Sequence, residues 1–250
     1  MQIDLNCDMG ESFGAYHMGQ DAQVMPFITS ANIACGYHAG DPLVMVATLQ
    51  LAAQHGAAAG AHPGYPDLQG FGRRNMDLTP AEVEAMVLYQ IGALAGMARA
   101  AGVEITHVKP HGALYNQAAN DIETARAVAR AVAGFSKLLI LVGLAGSRSI
   151  VAGLELGLRV AQEAFPDRAY NPDGSLRSRR LPGAVLESVE EVERHAVELA
   201  RDGIRLESGA LRVDTLCLHG DHANAAENAR RVRAALETQG AQIMSLPNFV

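Results

Sequence analysis

Ile3-Asp4-Leu5-Asn6-Cys7-Asp8-Met9-Gly10-Glu11-Ser12 begins with a strict alternation of apolar and polar residues, the two-residue period of a β-strand. The alternation sends Asp4, Asn6 and Asp8 to one face and Ile3, Leu5 and Cys7 to the other. Carboxylates are costly to bury unless something binds them. A strand whose inward face carries two of them belongs to a sheet that builds a site there.

Working outward, further apolar runs read as strands at 30–35, 57–61, 106–109, 138–142, 158–163 and 215–219, with a weaker one at 242–245. Helix signals lie between them. Thr79-Pro80-Ala81-Glu82 is a capping box with Pro at the first helical position, and its apolar-periodic stretch runs to Ala101 and stops at Gly102. Asp41-Pro42 reads as an N-cap and first helical residue, and Asn120 or Asp121 can cap a helix to about Ala133. Ser188-Val189-Glu190-Glu191 reads as a second capping box, and Ala223 to Thr238 as a further helix ended by Gly240.

Strands alternating with helices imply a parallel sheet, open or closed. The placement of unusual residues favours closure. Nearly every strand ends in a polar, Gly-containing cluster: Asn6/Asp8, Asn32/His38, His62, Lys109/His111, Glu163 and His219/Asp221. In a barrel all strand C-termini converge on one face, where active sites are built. An open sheet needs such residues only at its switch point. No linker or repeat divides the chain, so residues 1–250 are expected to form one barrel domain.

The 250 residues are 49% apolar and 19% charged, enough for a large core, and with no Trp and 5% aromatics that core must rest on Ala, Val, Leu, Ile and Met. A net charge of −7 argues against a nucleic-acid binder. Three Cys without a CxxC point to a reducing, cytoplasmic setting, and Met1-Gln2-Ile3-Asp4-Leu5 has no signal-peptide character. The apolar tract from Leu138 to Leu158 is interrupted by Ser147, Arg148, Ser149 and Glu155, so it reads as strand then helix rather than a membrane span.

Three hydrolytic chemistries are open to these clusters. A metal held by Asp8, His62 and His111 could activate water. A carboxylate and histidines could do acid–base work without metal. A Cys could attack with a His partner, but Cys7, Cys35 and Cys217 sit within strands and read as packing residues. His38 suits a ligand or a base, and Lys109 suits an anion at the mouth. The irregular stretch from Phe165 to Leu186 carries Arg177, Arg179 and Arg180, which could clamp a carboxylate or phosphate. The chain contains no G-x-x-x-x-G-K-[ST] phosphate loop.

Asp4-Leu5-Asn6, Ser30-Ala31-Asn32-Ile33-Ala34-Cys35-Gly36, Gly60-Ala61-His62-Pro63, Val108-Lys109-Pro110-His111-Gly112, Phe165-Pro166-Asp167-Arg168 and Leu218-His219-Gly220-Asp221 together resemble the LamB/YcsF family, the A subunits of bacterial 5-oxoprolinase. The resemblance spans almost the whole chain. It implies a TIM-like (β/α)7 barrel of the glycoside hydrolase and polysaccharide deacetylase type. It also implies opening of 5-oxo-L-proline to L-glutamate coupled to hydrolysis of ATP to ADP and phosphate, with partner subunits B and C. In that setting Asp8, His62, Lys109, His111 and Glu163 are expected to carry the chemistry. Asn6, Asn32, His38, Arg179, His219 and Asp221 are expected to bind substrate. A stand-alone metal-dependent deacetylase of an amidosugar is the alternative activity, and a non-catalytic metabolite-binding subunit is a third reading.

Overall fold

The structure, a computed structural model, describes residues 1–178, 180–186, 188–218 and 225–250. In chain order the elements are β1 (Gln2–Met9), α1 (Asp21–Val24), β2 (Ser30–Ala34), α2 (Pro42–His55), β3 (Ala58–His62), α3 (Pro80–Ala100), β4 (Ile105–Val108), α4 (Gly112–Asn120), α5 (Ile122–Phe135), β5 (Ile140–Leu144) and α6 (Arg148–Glu155). They continue with β6 (Arg159–Ala164), α7 (Val189–Asp202), β7 (Ile204–Leu206), β8 (Gly209–Leu211), β9 (Thr215–Leu218), α8 (Ala225–Thr238) and β10 (Gln242–Ile243).

Strands β1 through β6 pair in parallel in sequence order, β9 follows β6, and β9 pairs back onto β1. The sheet therefore closes into a parallel barrel of seven strands. The register sets Asp8 beside Asn32, Ala34 beside His62, Gly60 beside His107, and Asn6 beside Cys217. Neighbouring strand ends thus put their polar residues into common layers.

Alternation along β1 holds. Ile3, Leu5, Cys7 and Met9 join the apolar layer under the helices, while Asp4, Asn6 and Asp8 point into the barrel. The helices cover the outside. α3 presents Val87, Ile91 and Leu94, and α5 presents Ala125, Val128 and Val132, to that same layer. Each such large aliphatic side chain stabilises the fold by roughly 1.5–3 kcal/mol on burial. At the other end of the barrel, Leu246 of the C-terminal turn packs on Ile140, Val142 and Ala161 in a separate apolar cluster, and β10 pairs with the first residues of β1.

The caps expected from sequence form where the donors require them. Asp41 Oδ1 accepts from the Leu43 and Val44 amides, the Thr79–Glu82 box is reciprocal, and Asp121 caps α5. The Ser188 box is half-formed: Ser188 Oγ accepts from the Glu191 amide but donates to Glu190 rather than gaining a return bond from Glu191. The antiparallel hairpin β7–β8 was not legible as strand, because two three-residue runs are too short to show a period.

Candidate active site at the barrel mouth

The barrel interior holds a continuous polar network, built upward from β1. Asp4 accepts from Thr29, Ser30 and Thr215. Asn6 Nδ2 donates to Thr215 Oγ1 (2.7 Å) and Glu163 Oε1 (2.9 Å), which fixes its amide so that Oδ1 faces Asn32 Nδ2 (2.7 Å). Asn32 Nδ2 also donates to Asp8 Oδ1 (2.9 Å), and its own Oδ1 meets His107 Nε2 at 3.0 Å. Asp4 thereby serves the architecture, and burial pushes its carboxyl up to about 6 against the hydrogen bonds it accepts.

Lys109 stands at the top of this network with 3% of its side chain exposed. Its ammonium donates to Asp8 Oδ1 (2.9 Å), Asn6 Oδ1 (3.2 Å) and Cys217 Sγ (3.0 Å), and forms an ion pair with Glu163 Oε1 (2.9 Å). Burial opposes its charge, but Asp8 and Glu163 hold the ammonium well above its ordinary value. Burial likewise works against the Asp8 charge, yet His62 and Lys109 keep that carboxyl well below its usual range. Lys109 is thus a fixed cation and Asp8 a fixed anion at one point. Across the cavity, burial and then Glu163 push the Tyr115 phenol well up, leaving a neutral O–H.

Beside this pair sits a group of three imidazoles. His62 ends β3, and its Nδ1–H donates to the Lys109 carbonyl (2.6 Å), so that Nε2 faces Asp8 Oδ2 (3.2 Å) and His111 Nδ1 (3.0 Å). His111 follows β4, and its Nε2–H donates to the Phe71 carbonyl (2.8 Å). These tautomers follow from the carbonyls, which only accept. His38 stacks on His111, with ring centroids 3.7 Å apart and planes 2° from parallel. Glu11 Oε1 lies 3.3 Å from His38 Nε2 and 3.4 Å from His111 Nδ1. Phe71, whose ring stands edge-on to both His38 and His111, holds a left-handed φ of 54°. Such strain in a non-Gly residue is typical of functional sites.

A cavity of 270 Å³ opens onto Asp8, His62, Lys109 and His111, with Arg73 and Arg168 on its walls. The volume suits a small metabolite rather than a polymer chain.

The structure gathers all five residues expected to carry chemistry, and Asn6, Asn32 and His38 beside them. Asn6 and Asn32 lie beneath Lys109 as its framework rather than in the cavity lining. Arg179, His219 and Asp221 lie outside the described residues. Among the described residues, Arg168, buried with Nη2 donating to the Arg177 carbonyl, is the arginine of this loop that lines the cavity. Glu11, Phe71 and His107 were missed as site residues. Glu11 carried a signal, three residues after Asp8 and just past the strand end, and so did His107, which alternation puts on the face of Lys109 and His111. All three thiols are buried, which pushes Cys35 up to about 12 and Cys7 and Cys217 well up; Cys35 falls one residue beyond β2, and Cys217 Sγ also accepts from Lys109.

A model described as the LamB/YcsF family matches residues 3–250. The A subunit of 5-oxoprolinase from Syntrophobacter fumaroxidans is 54% identical over 250 residues, covering 98% of this chain and 99% of that protein. The corresponding 5-oxoprolinase protein of Pyrococcus abyssi is 53% identical over the full length of both chains. Among solved structures, a lactam utilization protein from Thermus thermophilus matches with a TM-score of 0.93 at 49% identity, over 98% of this chain and 100% of that one. The catalytic domain of a peptidoglycan N-acetylglucosamine deacetylase from Eubacterium rectale matches with a TM-score of 0.52 at 10% identity, over 98% of this chain and 87% of that one. That second likeness is one of fold.

Proposed function

This chain belongs to the LamB/YcsF family, and from that premise we propose that it is a hydrolase of a cyclic amide that opens the lactam of 5-oxo-L-proline to L-glutamate. The opening is coupled to hydrolysis of ATP to ADP and phosphate, in a complex with subunits B and C. The observation that carries the reading is the buried Lys109 ammonium between Asp8 and Glu163, facing a cavity of metabolite size. The three free buried thiols suit a reducing compartment, so the cytoplasm is its place.

A lactam carbon is a poor electrophile because attack on it destroys amide resonance. Transfer of a phosphoryl group from ATP to the lactam oxygen, with ADP leaving, removes that resonance and supplies a leaving group. Water then adds to the carbon, the ring nitrogen departs with a proton, and the resulting acyl phosphate is hydrolysed to glutamate and phosphate. Two waters are consumed in all. Asp8 lines the cavity as a carboxylate, so it orients the attacking water and accepts its proton. Lys109 stabilises negative charge developing on the oxygen at that carbon, a pre-set electrostatic role. Glu163, fully buried and bonded to both Lys109 and Asn6, positions the ammonium. Arg168 and Arg73 are placed to hold the substrate carboxylate or the phosphate.

The test is glutamate formation from 5-oxoproline and ATP, comparing the chain alone with the chain plus subunits B and C. Activity in the mixture, lost in Asp8→Asn, is the expected result. A mixture that makes no glutamate overturns the reading, and unchanged turnover in Asp8→Asn overturns the role of Asp8.

A further inference from the structure

We propose that Tyr115, Phe165 and Leu176 form the wall of the mouth cavity that receives the carbon edge of the lactam ring, and that Leu176 sets the size of ring admitted. The inference rests on the oxoprolinase reading and adds to it the determinant of ring specificity.

The cavity is lined by two unlike groups of residues. Asp8, Lys109, Arg73 and Arg168 supply charge, whereas Tyr115, Phe165 and Leu176 supply apolar surface. The two groups meet at Lys109, whose ammonium lies 5.6 Å from the centroid of the Phe165 ring. Tyr115 and Phe165 are buried and stand edge to face, with centroids 6.0 Å apart and planes at 86°. With Cys217 they make an apolar cluster separate from the main core, and Leu144 and Leu176 pack against it. A five-membered lactam carrying a carboxylate is two-sided in the same way. Its carbonyl oxygen, ring N–H and carboxylate follow one another along one edge, and the other edge is bare methylene. Polar groups pressed against an apolar wall lose their hydrogen bonds without replacement. The polar edge therefore turns to Lys109, Asp8 and the arginines, and the methylene edge is left to the aromatic pair and Leu176.

The members of the wall differ in how they are held. Tyr115 stands on α4 and Phe165 directly follows β6, so the barrel fixes both. Leu176 comes instead from the loop between β6 and α7, and a short turned-back segment places it. Tyr170 and Leu176 pair as an antiparallel bridge, the Asn171 amide donates to the Ser175 carbonyl (2.8 Å), and the Arg177 amide donates to the Ala169 carbonyl (2.9 Å). Asp173 Oδ1 closes the turn by accepting from the Ser175 amide (2.9 Å) and hydroxyl (2.6 Å). At its tip Gly174 has a φ of 84°, and a Cβ there would meet the side chains of Leu206 and Leu211 at 2.9 and 3.0 Å. The turn thus rests on the hairpin β7–β8. At its base the Tyr170 hydroxyl accepts from the Phe165 amide (2.7 Å), which ties the partner of Leu176 to the fixed part of the wall. Leu176 itself is partly exposed. It is therefore the member whose volume can change the cavity with least disturbance of the barrel.

The test is turnover of ATP and lactam by the complete complex, comparing 5-oxoproline with the homologous six-membered lactam carboxylate and measuring the amino acid released. One added ring methylene should lower kcat/KM in wild type by about 10–200-fold. Leu176→Ala should shrink that preference by about tenfold, chiefly through faster turnover of the larger ring. Phe165→Leu should shrink it in the same direction, and Leu176→Phe should lower kcat/KM for 5-oxoproline itself. Thermal unfolding of each variant ensures that only folded protein is compared. A preference that stays the same in both Leu176→Ala and Phe165→Leu overturns the proposal, as does equal turnover of the two rings by wild type. In either case 5-oxoproline is still opened, so the oxoprolinase reading survives. A wild-type complex that releases no amino acid from 5-oxoproline overturns that reading, and the ring wall falls with it.

Discussion

Replacing Lys109 by Met tests the centre of the site most directly. Met has similar length and volume, so packing is nearly conserved while the ammonium is lost. Lys109 Nζ lies 2.9 Å from both Asp8 and Glu163. At an effective dielectric of about 20, each contact is worth about 6 kcal/mol before desolvation is counted. Removing one partner of such a buried pair costs a net of about 3–5 kcal/mol, because a carboxylate is left buried without compensation. For a chain of this size the unfolding temperature moves by about 2–4 °C per kcal/mol, so a fall of about 6–20 °C is expected near pH 8. The loss is pH-dependent with a definite sign. Without Lys109, the buried Asp8 carboxyl binds a proton more tightly in the folded than in the unfolded state. The variant therefore loses stability as pH rises, and its deficit is smaller near pH 5 than near pH 8. Adding Glu163→Gln to Lys109→Met should recover part of the loss. Thermal unfolding followed by circular dichroism at both pH values measures all of this. An unfolding temperature within about 2 °C of wild type near pH 8, or a deficit that ignores pH, would refute the reasoning.

Asp4, buried and raised from 3.8 to about 6, binds its proton more tightly in the folded state. Wild-type stability should therefore lose up to about 3 kcal/mol from this residue as pH climbs from about 4 to about 6. Denaturant titrations across that range should show a shallower loss in Asp4→Asn. A Cβ at Gly60 would overlap the His107 ring. Gly60→Ala should cost about 1–3 kcal/mol in denaturant unfolding and lower turnover in the complex, because His107 orients Asn32 beneath Asp8. Asp8→Asn leaves Lys109 with Glu163 as its ion-pair partner, and in folded variant protein glutamate release should slow about 10²–10⁴-fold in a coupled assay.

Several features were legible in the sequence because they are local. Alternation through Ile3-Asp4-Leu5-Asn6-Cys7-Asp8 fixed which side chains face inward, since successive residues of a strand must point to opposite sides. Thr79, Asp41 and Asp121 announced helix starts, because an N-cap satisfies amides within three residues of itself. At Ser188 only the side-chain half of the box formed, with the hydroxyl also donating to Glu190.

By itself, then, the sequence determined the order of the barrel strands and the gathering of Asp8, His62, Lys109, His111 and Glu163 at one end of a closed sheet. Only the tertiary structure decided which of them pair. Lys109 meets Asp8 across 101 residues of chain, Asn6 meets Glu163 across 157, and no spacing rule links positions that far apart. The choice of carboxylate beside the imidazoles is likewise a matter of loop path. Asp8 is held by Lys109 and Asn32 within the barrel. Gly10, at a φ of 67°, turns the chain so that Glu11 reaches His38 and His111. A left-handed turn of that kind is open to glycine at little cost, but where it sends the next side chain depends on β2, β3 and β4 already standing around it.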